Sequence, residues 1–167
     1  MQQNRAAGAA RMRCSRRVGA HAASLASVPT RRPRPVMIVY AWRGEFTNAE
    51  INALHAEAFQ TGVFDDWDWA AQLRRHSLGW VTARDGTLLV GFVNLITDGE
   101  VHAWIQDTMV AADHRHRGVG TALVMHATDA ARNANCQFLH VDFDDHLRGF
   151  YFGACGFSPT NAGLIEL

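Results

Sequence analysis

Residues 112–120 run "ADHRHRGVG", and a stretch with helical periodicity follows at once. The spacing is Arg115-x-x-Gly118-x-Gly120. At a helix start the first backbone N–H groups have no internal acceptor, and the helix dipole adds partial positive charge there. Glycine lets an anion approach the backbone because no Cβ intervenes, and arginine matches phosphate oxygens. The chemistry on offer is therefore phosphate binding. The spacing is not the dinucleotide fingerprint, since Leu123 stands where its third glycine would be. Nor is it a P-loop, because no Lys-Ser/Thr pair follows a glycine. A tight strand-to-helix turn with solvated arginines accounts for the spacing equally well.

Other groups could move protons or hold a cation. Asp107 is the one carboxylate, and His102 the one imidazole, between Val101 and Val110. Strand alternation places His102, Trp104, Gln106 and Thr108 on one face and Asp107 on the other. A hydrogen-bonded structural aspartate explains Asp107 as well as a proton acceptor does. "VDFDDH" (141–146) supplies Asp142, Asp144 and Asp145, which could bind an amine or cap a helix. "FDDWDW" (64–69) could clamp a cation with Asp66 and Trp67. Its bland alternative is helix capping by Asp66, with Trp67 and Trp69 in the core. His114, His116, His126 and His140 show no metal-ligand spacing, so no metal is expected.

These residues need a scaffold, and one is readable from Met37 onward. A short strand (37–42) precedes a helix (47–59) that opens with Thr47 and Glu50 at capping-box spacing. A second helix spans 67–76. Strands at 79–85 and 88–96 are joined by Asp85-Gly86, a hairpin turn signal, and a third strand covers 101–110. The glycine loop then leads into an amphipathic helix (120–134). A strand (137–143), a short helix (146–154) and two short closing strands, "GFSPT" and "GLIEL", complete the chain. The order β-α-α-β-β-β-α-β-α-β-β argues a single mixed-sheet α/β domain.

Charge divides the 167 residues at position 36. Eight arginines against no acid give +8 before Met37; eight arginines against sixteen acids give −8 after it. A segment so poor in apolar periodicity cannot offset its ordering entropy. Residues 1–36 are expected to be a disordered leader, or to precede the true start at Met37. A transit peptide and a nucleic-acid-binding arm fit the same composition. Nothing provides the ~18 apolar residues of a membrane helix. Cys14, Cys136 and Cys155 show no paired spacing, which suits a reducing, cytoplasmic setting.

"MVAADHRHRGVGTALV" resembles the acetyl-CoA loop of the GNAT superfamily of N-acetyltransferases, and "FYFGACGF" resembles that family's second signature. The element order matches as well, over residues 37 to 167. The resemblance implies that backbone N–H groups from Arg115, His116 and Arg117 through Gly118, Val119 and Gly120 to Thr121 hold the CoA pyrophosphate. It implies that Met109 and Val110 pair with the pantetheine arm and polarise the thioester. An acceptor amine, on a small molecule or a peptide, would attack directly in a ternary complex. The family's usual acid is a Tyr four residues before the Gly-Phe glycine. That position is Phe152, so Tyr151 serves only if the turn holds an extra residue. The family's usual strand Glu is missing, leaving Asp107. Asp142 and Asp144 fall on the acceptor side, and Asp66 and Trp67 in the acceptor lid. A homodimer is compatible with the resemblance; nucleic acid is not an expected partner. The rival expectation is an acyl-CoA-binding module with little or no catalysis.

Overall fold

In the computed structural model, residues 37–167 are described. The basic segment 1–36 and Cys14 lie outside the described residues. Five strands form one sheet in the spatial order β1 (Ile38–Trp42), β2 (Ser77–Asp85), β3 (Leu88–Thr97), β4 (His102–Val110), β5 (Phe138–Val141). The first four are antiparallel neighbours, and β5 runs parallel to β4. Helices α1 (Asn48–Phe59) and α2 (Trp69–His76) follow β1, while α3 (Val119–Asn133) makes the crossover from β4 to β5. This is the mixed α/β sheet that the sequence predicts.

The sheet is buried on both faces. Leu123, Val124 and Ala127 of α3 pack on Val81, Val93 and Ile105 on one side. Ile51 and Leu54 of α1, with Trp69 and Leu73 of α2, pack on Phe92 and Met109 on the other. Strand β3 therefore has no solvent face from Leu89 to Leu95, as a central strand requires. Among the described residues, no helix is long and apolar enough to cross a membrane.

Local chemistry fixes the helix starts. Thr47 accepts from the Glu50 amide, and Glu50 accepts from the Thr47 amide at 2.8 Å, a complete capping box. Glu50 also pairs with Arg84 of β2 at 2.8 Å, and that hydrogen bond holds its carboxyl below the usual range. The α2 cap is Asp68, which accepts from Ala71; Asp66 lies two residues too early to reach the first free amides. Trp69 is buried as expected, but Trp67 keeps 46% of its surface exposed.

The C-terminal expectations need two corrections. The short helix at 146–154 is a 3-10 turn, Asp145–Leu147, followed by a π-helix, Gly149–Ala154. The closing strands do not form. Residues 156–167 carry no ladder, Pro159 has no amide to donate, and Leu164, Ile165 and Leu167 remain exposed.

Leu123 is fully buried between α3 and the sheet. Leu123→Ala should cost about 2–5 kcal/mol of stability, read as a lower denaturation midpoint with an unchanged slope.

Candidate active site

Strand β4 has β5 beside it only from His102 to Ile105. Beyond Ile105 its outer edge is unpaired. On the other edge Asn94 faces Gln106 and Phe92 faces Met109, so Asp107 and Thr108 together oppose Val93. This is a β-bulge, and Asp107 sits in it at φ 52°. The bulge inverts side-chain parity. Ala103 and Ile105 face α3, whereas Met109, of the same parity, faces α1. The predicted alternation is thus reversed beyond Gln106: Asp107 turns toward α1, where Asn94 Nδ2 lies 3.4 Å away, and Thr108 turns toward Tyr151.

The backbone follows the same logic. The Ala111 amide donates to Val90 O, so the alternating bonds of this ladder also tie Met109 inward to β3. The Val110 carbonyl points outward, where it accepts from Arg115 Nε at 3.0 Å. Val110, not Met109, presents its backbone to the open edge.

That edge borders a cleft of about 630 Å³. Its walls are Thr108 and Val110 of β4, His116, Gly118, Gly120 and Thr121 of the loop and α3, and Tyr151 of the π-helix. The N-terminus of α3 has no side-chain cap, and its first helical bond runs from Ala122 to Gly118. The amides of Val119, Gly120 and Thr121 therefore precede the ladder, beside the cleft. Gly118 adopts φ 81°, and a methyl group on its Cα would meet nothing within 4 Å, so the approach to these amides is open. Gly120 is constrained differently: a Cβ there would lie 3.2 Å from the Phe150 ring. A phosphate-bearing ligand fits this arrangement through backbone donors. Arg115 also lines the cleft, but its Nε bonds Val110 O and its Nη2 reaches Glu57 O of α1 at 3.4 Å. It braces the loop.

Two groups could transfer protons. Burial pushes the Tyr151 phenol above its ordinary value, and the Thr108 hydroxyl opposes this in part. Thr108 Oγ1 is otherwise buried without a well-formed hydrogen bond. The π-helix supplies the extra residue that Tyr151 requires: the Cys155 amide bonds Phe150 O, five residues back. Tyr151 lines the cleft, while Phe152 packs against Phe143 and under the Arg148 guanidinium. Burial also raises the Asp107 carboxyl, opposed by its Asn94 hydrogen bond and by His55 of α1.

The remaining predicted residues are dispersed. Asp144 is on the cleft wall, whereas Asp142 is exposed and is not part of that wall. Asp66 is exposed at a turn, next to Trp67. His102 pairs with His140, Nδ1 to Nε2 at 2.8 Å, in a stack with Trp104. Sequence reasoning missed His55, Phe59 and Phe150. The helical i, i+4 spacing of His55 and Phe59 was the available signal for the first two.

An uncapped helix opens on a parted strand pair at the edge of a mixed α/β sheet, with one cleft between them. The model of the acetyltransferase (GNAT) family matches residues 38–157. The chain belongs to that family. No curated protein matches it by sequence. Solved structures share the fold. A probable acetyltransferase from meticillin-resistant Staphylococcus aureus is 20% identical, with TM-score 0.64 over 78% of this chain and 98% of that one. An aminoglycoside N-acetyltransferase in complex with CoA is 17% identical, with TM-score 0.65 over 81% and 97%. Glucosamine-6-phosphate N-acetyltransferase from Arabidopsis thaliana is 13% identical, with TM-score 0.62 over 78% and 98%.

Gly120→Glu would drive a carboxylate toward both Phe150 and the α3 amides. Calorimetry should find acetyl-CoA binding abolished; unchanged affinity would contradict a ligand seat at this helix end.

Proposed function

We propose that this chain transfers an acetyl group from acetyl-CoA to a primary amine, with both substrates bound together. One observation carries the reading: the uncapped α3 N-terminus, the free Val110 edge and the Tyr151 side chain all border one cleft. The amides of Val119, Gly120 and Thr121 hold the pyrophosphate, supported by the helix dipole. The Val110 edge pairs with the pantetheine arm, and a backbone N–H at this end of β4 polarises the thioester carbonyl.

An alkyl amine arrives protonated and must lose a proton before it attacks. Asp107 turns toward α1 and is not on the cleft wall, so it accepts that proton through bridging water, with His55 opposing the cost of its buried charge. The new C–N bond forms as the C–S bond breaks. The departing sulfur takes a proton from Tyr151, whose raised pKa keeps the phenol protonated across the neutral range. The second proton that the nitrogen loses on becoming an amide returns through water to the Tyr151 oxygen. Asp144 on the cleft wall attracts the cationic acceptor.

The pH dependence of turnover tests these roles. The acid limb of kcat should lie above the ordinary carboxylate range, because Asp107 must be ionised and burial raises it. Asp107→Asn should remove that limb and most of the rate. Tyr151→Phe should lower kcat by about 10²-fold or more while barely changing the KM for acetyl-CoA. An unchanged rate in Tyr151→Phe would remove it as the acid. Acetyl-CoA binding without acetylated product across a broad amine panel would favour a binding module instead.

A further inference from the structure

The segment joining β4 to α3 has few bonds of its own. His114 and Arg115 donate to Ala111 O and Ala112 O, and no side chain caps the start of α3. His116 and Gly118 adopt φ 58° and 81°, left-handed backbone that a residue with a Cβ keeps only where its surroundings enforce it. Part of that enforcement comes from α1. Glu57 Oε1 accepts from the Ala112 amide at 2.6 Å, and Glu57 O accepts from Arg115 Nη2 at 3.4 Å. One residue thus meets the loop twice, by side chain and by backbone.

Charge alone disfavours a carboxylate at this position. Glu57 lies in the last turn of α1, where the helix dipole presents its negative end. It also precedes Ala58, which lines the cleft, so its charge repels an anion seated there. Glu57 is exposed and adds nothing to the core. What a glutamate offers here is reach to the Ala112 amide. One short, charge-assisted hydrogen bond stands against two unfavourable charge effects.

We infer that Glu57 is a positioning residue for acetyl-CoA: by holding the Ala112 amide, its carboxylate fixes the loop that presents the α3 amides to the pyrophosphate. The inference rests on the acetyl-CoA reading above and adds to it a residue outside the cleft wall. Reach and charge predict opposite results. If the bond positions the loop, losing it weakens acetyl-CoA binding. If the charge acted alone, losing it would tighten binding.

The test is calorimetric titration of the full chain with acetyl-CoA, in the wild type and three variants. Glu57→Ala removes bond and charge together. Glu57→Asp keeps the charge one methylene short, and Glu57→Gln keeps an acceptor oxygen without the charge. Kd should rise about fivefold or more in Glu57→Ala and Glu57→Asp, and stay within about twofold of wild type in Glu57→Gln. In turnover the loss should fall on the KM for acetyl-CoA more than on kcat. The denaturation midpoint of Glu57→Ala should stay near the wild-type value, because losing an exposed bond is offset by relief at the negative helix end. Affinity in Glu57→Ala equal to or above wild type would overturn the inference. So would Glu57→Gln binding as weakly as Glu57→Ala. Wild-type binding without acetyl transfer to any amine would remove the transferase reading and leave Glu57 in its role. A wild type that does not bind acetyl-CoA would overturn both.

Discussion

The parting of β4 from β5 after Ile105 is the constraint on which the rest of the site depends. A continuous ladder would have consumed the outer edge of β4 and closed the space in front of α3. Instead the bulge at Asp107 bends the strand as the pairing ends. A left-handed conformation is costly for most residues, but aspartate tolerates it better than most. The same residue thus makes the bend and carries the carboxylate. The bulge also sets which groups meet: Thr108 and Val110 turn toward the cleft side, Asp107 toward α1.

The donors free at the α3 end of the cleft are backbone amides more than basic side chains. Arg115 holds Val110 O and reaches the end of α1, and Ala112 donates to Glu57 Oε1 at 2.6 Å. Those bonds tie the loop to α1 and β4, leaving the α3 amides in fixed positions. His114 leans on Asp85 in the β2–β3 hairpin, at 3.4 Å. The division of labour is electrostatic. The α3 end of the cleft offers amides and a positive helix end, while Asp144 stands on the cleft wall.

Features set by neighbours in sequence were legible in advance. The Thr47–Glu50 capping box, the Asp85-Gly86 hairpin and the glycine loop each involve only a few residues, and each is present. Features that depend on hydrogen-bond register were not legible. Strict alternation gave the wrong face to Asp107, because a bulge adds a residue without changing composition. The π-helix behind Tyr151 left no mark beyond the misplaced count to Gly156. Capping at Asp68 in place of Asp66 turned on a two-residue shift that three nearby aspartates could not resolve. Met109 illustrates the limit for the site: its place in the motif was clear, but the direction of its backbone groups follows from the ladder with β3.

The most direct measurement is an amide-resolved NMR titration of the chain with CoA. Backbone donors at the parted edge predict the largest shifts at Val119, Gly120 and Thr121, with a second group at Thr108 and Val110. CoA binding that leaves these amides unmoved, and perturbs another surface, would contradict the account.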